Sequence, residues 1–337
     1  MDRMRAARLH PPSHTLTVED VPKPTPGPGQ VLVKVEAAGV CLSDVHLIDG
    51  TLTPSHLQGD TVTLGHEVAG TISGLGPDVT SWTAGQRVVL QAGEVHDDGH
   101  LLTRGVDYDG GWAEYALAGI GTLFALPDSI PFEQAAIIPD AVSTPWGAIT
   151  TTAGVRPAQA VGVWGIGGLG AHAVQLLRTV GAYPIIAVDP VPAARRRALD
   201  FGADLALDPA DPQLREQILA ATGSRALDAA FDFAGIAAVR EQALTVLAPK
   251  GRLILVGLTD KPLTVANGTL FSYLQHQILG HYGSEDDAVP QLIALAEGGR
   301  LDFSRSITDV LPLADAAKAV QRLQTKEGDP IRLILRP

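Results

Sequence analysis

A chain of 337 residues is longer than one hydrophobic core ordinarily fills, so two domains are expected. Hydrophobic residues make up 45% and charged residues 18%, which suits a packed globule and excludes a disordered chain, and a net charge of −12 lends no support to a surface for nucleic-acid phosphates. MDRMRAARLH is followed by no apolar signal-peptide segment, no run of about 18 apolar residues predicts a membrane-crossing helix, and the one cysteine, Cys41, has no internal disulfide partner, which suits a reducing cytoplasm.

The first 140 residues read as short strands broken by turns. HTLTVEDVP, QVLVKVEAAGV, EVAGTISGLG and QRVVLQAG carry β-branched residues in partial alternation, and the proline-rich PKPTPGPGQ separates the first two. An antiparallel, barrel-like region is expected. From about residue 141 apolar strands alternate with helices, beginning with AVGVWGIGGLGAHAVQLLRTVGAYPIIAVDP, which predicts a parallel sheet covered on both faces. The last segments, AVPQLIALAEGG, LADAAKAVQRLQ and PIRLILRP, fit that pattern less well. They are expected to return to the first domain, giving domains of 1–141 with 285–337, and 142–284.

Gly165-Ile166-Gly167-Gly168-Leu169-Gly170 matches G-x-G-x-x-G directly after an apolar strand and at the start of a helix. Such glycines let backbone approach a pyrophosphate, and the helix N-terminus supplies free N–H donors. Asp189 ends the following strand, where a carboxylate accepts ribose hydroxyls and repels a 2′-phosphate, so NAD is favoured over NADP. Arg195, Arg196 and Arg197 could offer a contact to such a phosphate, but at helical spacing they read as a solvated face.

AAGVCLSDVH holds Cys41, Ser43, Asp44 and His46, while LGHEVAG holds His66 and Glu67, and AAIIPDAVSTPWGA holds Asp140. Cysteine, histidine and aspartate are good zinc ligands, and a catalytic zinc takes three of them and keeps one position open. The spacing is not that of a local zinc finger, and a lone cysteine is more often a small buried hydrophobe. GVCLSDVHLIDG, LGHEVAGTISGLGPDVTSWTAGQRVV, GGWAEY, GIGGLG with AVDP, and GRLILVGL stand together in order over essentially the whole chain. In this the chain resembles the medium-chain dehydrogenase/reductase superfamily, in its zinc-dependent alcohol dehydrogenase branch.

The resemblance implies an α/β fold, with a Rossmann doubly wound parallel sheet inserted in a GroES-like β-barrel catalytic domain. It implies one catalytic Zn2+ per chain on Cys41, His66 and Asp140, as in bacterial secondary-alcohol dehydrogenases with an aspartate ligand. Glu67 is an additional ligand or a supporting carboxylate, and Asp44 accepts the other ring N–H of His66. Ser43 takes a proton from the alcohol and His46 passes it to solvent. Thr144 lies against the nicotinamide, Leu169 packs behind that ring, and Arg332 reaches the pyrophosphate. The implied reaction is reversible hydride transfer between an alcohol, secondary or apolar in character, and NAD, by a homodimer or homotetramer.

Many members carry a structural zinc on four cysteines where this chain has LQAGEVHDDGHLLTRGVDYDGG; with no cysteine there, that site is absent, and His96, Asp97, Asp98 and His100 read as a polar surface loop. The rival readings are a zinc-free quinone or enone reductase of the same superfamily and a non-enzymatic nucleotide-binding protein. The joint presence of Cys41, His66, Asp140 and Asp189 argues against the first, and the Ser43/His46 pair against the second. Trp112, Trp146 and Leu57 are candidates to line the substrate pocket. Leu42 stands where many relatives have a cation on the coenzyme phosphates. Leu42→Arg is therefore expected to tighten NAD binding by about threefold to tenfold and to slow coenzyme release; unchanged NAD affinity and kcat would remove this reading.

Overall fold

The computed structural model describes residues 2–95 and 99–337; His96, Asp97 and Asp98 of the polar loop lie outside the described residues. The chain forms two compact units, residues 1–141 with 289–337, and residues 142–288. The return falls four residues beyond the expected 285. Residues 285–287 still belong to the turn that starts the helix Ala288–Glu297, where the Ala288 N–H donates to the Glu285 carbonyl at 3.1 Å.

The spine of the first unit is the strand Gln30–Val40. Val31, Val33 and Val35 point alternately into the core, and the small residues Ala37, Ala38 and Gly39 follow. One edge of this strand pairs with Val68–Leu75 along most of its length. The other edge is shared: Gln30–Lys34 pair with Tyr115–Gly119, and Ala38–Val40 pair with the C-terminal strand Arg332–Arg336. Arg87–Leu90, Leu123–Ala125 and Ile307–Pro312 complete the seven-stranded sheet. The C-terminal strand is thus built into the first unit's main sheet, and the second unit is an insertion in its sequence.

The core is closed by helix Ala316–Thr325, whose Ala316, Ala319, Val320 and Leu323 join the buried cluster that also holds Val33, Leu333 and Leu335. That is the i, i+3, i+4, i+7 stripe of an amphipathic helix. A smaller sheet joins Thr15–Pro22, Arg3–His10 and Val62–Thr63. The strand Arg3–His10 was not among the expected strands, because three arginines in RMRAARLH hide the buried Ala6, Ala7 and Leu9. Trp112, a candidate pocket residue, is instead core: it is wholly buried, and its Nε1 donates to the Gly39 carbonyl at 2.9 Å. Leu57 packs, partly buried, on the same core.

The second unit is a six-stranded parallel sheet in the order Leu205–Leu207, Ile185–Val188, Val161–Trp164, Leu227–Asp232, Leu247–Leu255, Gln277–Gly280. The strand order reverses between Val161–Trp164 and Leu227–Asp232, the doubly wound arrangement whose switch point receives ligands at the strands' carboxyl ends. VGVW and IIAV are buried throughout, as strands covered on both faces require. Helix Gly168–Val180 starts from the glycine turn and ends at Gly181, left-handed at φ 88°, whose N–H caps the Leu177 and Arg178 carbonyls. No helix among the described residues is long and apolar enough to cross a membrane.

Gly165 has φ 86°, and a Cβ on Gly170 would overlap the Gly165 carbonyl oxygen. Gly170→Ala must therefore push helix from strand and is expected to cost about 1–3 kcal/mol, read as a lowered Tm. Gly167→Ala, whose Cβ would meet nothing within 4 Å, is the control and should leave Tm nearly unchanged.

Candidate functional site

Strand Gln30–Val40 delivers Cys41 to the N-terminus of the short helix Leu42–Ile48. Asp44, in that helix's first turn, reaches back and accepts the Cys41 N–H at 2.8 Å, so the turn fixes the cysteine's direction. His66 and Glu67 follow Gly65, left-handed at φ 97°, where a Cβ would strike the Trp112 ring. Asp140 sits in a π-helical turn, Ile138–Val142, a wide turn of the kind that re-aims side chains at functional sites.

These elements bring one donor atom each from Cys41, His66, Glu67 and Asp140 to within 4.8 Å of one another. Cys41 Sγ lies 3.4 Å from Asp140 Oδ2, and His66 Nε2 lies 3.5 Å from the same oxygen. The opposite ring nitrogen, Nδ1, faces Asp44 Oδ1 at 3.7 Å. Nδ1 therefore points at a carboxylate and Nε2 turns its lone pair into the cluster. Asp44 stands where the sequence expectation put it, but beyond hydrogen-bonding distance of the ring.

Beneath the cluster lies the wholly buried Glu67, its Oε1 3.4 Å from Arg332 Nη1. It fits there because Gly39 has no side chain: a Cβ on Gly39 would overlap the Glu67 carboxylate. Gly39 in turn is held by its N–H on the Glu67 carbonyl, 2.8 Å, and by the Trp112 indole on its own carbonyl. Sequence reasoning missed Gly39; the signal was the run of small residues Ala37-Ala38-Gly39, separated from Cys41 by Val40 alone.

Burial lifts the Glu67 carboxyl to about 7, against the pull of Arg332. Burial likewise raises Asp44, partly offset by His66. Burial acts to lower His66, but Asp44, Asp140 and Cys41 outweigh it and hold the imidazole well above its usual value. The acids facing His66 make the cluster a place where positive charge is favoured, and a divalent cation bound there would displace the imidazole's proton. The donor set fits zinc: one thiol, one imidazole and carboxylate oxygens, with Glu67 Oε1 and Oε2 making no hydrogen bond. Arg332 balances Glu67 and leaves the charges of Cys41 and Asp140 for the ion.

The other expected residues are placed as follows. Ser43 Oγ is 3.4 Å from His66 Nε2, at the rim of the cluster. His46, half-buried, lies three residues further on the same helix. Arg332, expected on a pyrophosphate, is buried, with Nη1 3.4 Å from the Val40 carbonyl and 3.4 Å from Glu67 Oε1, its strand lying beside Gln30–Val40. In the second unit the turn of Gly165, Gly167, Gly168, Leu169 and Gly170 opens its helix, with Gly167 exposed and Leu169 half-buried. Asp189 Oδ2 accepts the Ile166 N–H and Oδ1 the Val191 N–H, both at 2.8 Å, which clamps this carboxylate to the glycine turn. Thr144 is buried in the helical turn Ser143–Gly147.

Residues 27–128 match the alcohol dehydrogenase GroES-like domain, and residues 168–298 match the zinc-binding dehydrogenase domain. A probable zinc-binding alcohol dehydrogenase of Mycobacterium tuberculosis is 32% identical over 96% of this chain and 86% of its own. The chain belongs to the zinc-binding alcohol dehydrogenase family. Within that family it is also similar to an NAD-dependent alcohol dehydrogenase of Sulfurisphaera tokodaii, 30% identical over 95% of this chain and 96% of the relative. The crystal structure of 2R,3R-butanediol dehydrogenase from Bacillus subtilis superposes with a TM-score of 0.91 at 25% identity, covering 99% of both chains. Cys41, His66 and Glu67 fall inside the matched GroES-like segment; Asp140 lies outside both matched segments.

Zinc retained after dialysis is expected to fall from about one per chain to well under half in Cys41→Ala and in Asp140→Ala. Asp44→Ala should keep the stoichiometry but weaken affinity about 10- to 100-fold, measured by competition with a chelator. Full retention by both donor variants would overturn the ligand assignment.

Proposed function

We propose that Cys41, His66 and Asp140 hold one catalytic zinc, and that this dehydrogenase moves hydride between a secondary or apolar alcohol and NAD. The observation that supports the reading is the convergence of four donors, three of them buried, within 4.8 Å beside the half-buried hydroxyl of Ser43, in a chain that also holds a carboxylate clamped to the glycine turn. A zinc-free reductase has no use for such a cluster.

When bound, zinc supplies Lewis-acid polarisation of the alcohol oxygen, and NAD accepts the hydride. The chain's residues do the rest. Ser43 Oγ, beside the ligating edge of His66, takes the proton of the alcohol, and half-buried His46 on the same helix passes it to solvent. Asp44, 3.7 Å from Nδ1, acts on the His66 ring by its charge, favouring a proton on Nδ1 and leaving Nε2 for the ion. Glu67 with Arg332 fills the floor of the site, keeping water out and supporting the donors from below. Glu67 acts as a supporting carboxylate, since a guanidinium already faces it.

The clamped Asp189 carboxylate favours NAD, whose ribose offers two hydroxyls to it. The strand Gln277–Gly280 is a sheet edge, and Leu258, Leu270, Tyr273 and Tyr282 near it in sequence are exposed. Pairing of that edge with a second copy, giving a dimer or a pair of dimers, would cover it. The unpaired Cys41 thiol suits a reducing cytoplasm.

A screen of primary, secondary, cyclic and aryl alcohols, followed by NADH absorbance, tests the function. Turnover is expected with secondary or apolar alcohols and is lost on chelation and restored by zinc. Ser43→Ala is expected to lower kcat about 100-fold or more with little change in NAD affinity. No alcohol-dependent NADH formation by zinc-loaded protein would sink the proposal.

A further inference from the structure

Three arginines, Arg195–Arg197, follow the ribose carboxylate Asp189 closely, a composition suited to a 2′-phosphate. The structure withholds them. Arg195 Nη1 donates to the Asp189 carbonyl at 2.7 Å, to the Pro190 carbonyl at 2.9 Å and to Asp208 Oδ2 at 2.9 Å. Asp208 follows strand Leu205–Leu207, the neighbour of strand Ile185–Val188 that Asp189 follows, and its Oδ1 accepts the Ala210 N–H at 2.9 Å. The carboxylate that captures Arg195 is therefore itself held. Arg197 is turned inward, with Nη2 on the Ile166 carbonyl at 2.6 Å, and Arg196 is exposed on the helix Pro192–Asp200.

We propose that Asp208 is a second determinant of coenzyme choice, acting by sequestering Arg195. Asp189 repels a 2′-phosphate directly. Asp208 is the charged partner among the three acceptors that hold Arg195 on Asp189's own backbone, and without it only two neutral carbonyls restrain the guanidinium from turning toward that phosphate. The Arg195–Asp208 pair is only partly buried, so its value as a stabilising ion pair is small. Its consequence is positional: it sets where a guanidinium is not. The proposal rests on the NAD reading above and deepens it.

The test is direct binding of NADPH and NADH to the zinc-loaded protein by calorimetry, which reads affinity and not turnover. Asp189→Ser removes the repulsion and is expected to raise NADPH affinity; failure at this step speaks against the ribose-carboxylate reading and not against Asp208. Adding Asp208→Ala is expected to tighten NADPH about tenfold further, the worth of one charge-assisted hydrogen bond. NADH affinity in the same pair should agree within about twofold, which also reports a folded site. Adding Arg195→Leu to the double variant should abolish the gain. An equal NADPH affinity with and without Asp208→Ala overturns the proposal. So does a gain that survives Arg195→Leu, since that would be loss of Asp208's own charge. Should the alanine variant fail to fold, Asp208→Asn keeps the Ala210 acceptor, weakens the hold on Arg195, and must shift NADPH affinity in the same direction.

Discussion

A carboxylate with no solvent contact, Glu67, sits against a guanidinium with almost none, Arg332, directly under the metal donors. Neither group is stable there alone, since an uncompensated buried charge costs several kcal/mol. Each tolerates burial because the other is present, and their meeting requires the C-terminal strand to lie beside Gln30–Val40. The same pairing leaves the sheet with Gly39 as its closest backbone to the carboxylate, the one residue type that leaves room. The position of Cys41, two residues further on, follows from that strand's register.

The two units divide the chemistry by the kind of group each supplies. The first offers side-chain donors to a cation: a thiol, an imidazole and carboxylates, held by a strand end, a left-handed glycine and a π-helical turn. The second presents the backbone of a glycine turn at a helix N-terminus and one carboxylate fixed just past a strand end. The Asp232–Arg240 pair shows the same economy there: Asp232 Oδ1 accepts the N–H groups of Ala234 and Gly235, and the Arg240 guanidinium meets Oδ2 at 2.6 Å and the Gly257 carbonyl at 2.5 Å. Ala234 closes against Gly165, so this clamp sets the wall facing the glycine turn.

Much was legible in the sequence because it is local. Alternating valines predict a strand, an apolar run before G-x-G-x-x-G predicts a turn and helix, and Asp189 falls at a strand end by counting residues. Each is a property of a few neighbouring residues, and each element forms where its pattern says. The charged strand Arg3–His10 is the exception: its buried alanines carry little apolar signal against three arginines. The donor set was legible through its residue types in several motifs standing in order, not through spacing.

The chain alone thus determined the kinds of elements and their order, because backbone propensity is written residue by residue, while the candidate donors came from motifs shared with a family. Only the tertiary structure decided who stands next to whom. It set Arg332 on Glu67, made Trp112 a prop for Gly39, and turned Arg195 toward Asp208. Those contacts join residues far apart along the chain, and their partners are selected by strand register and burial, which no local pattern encodes.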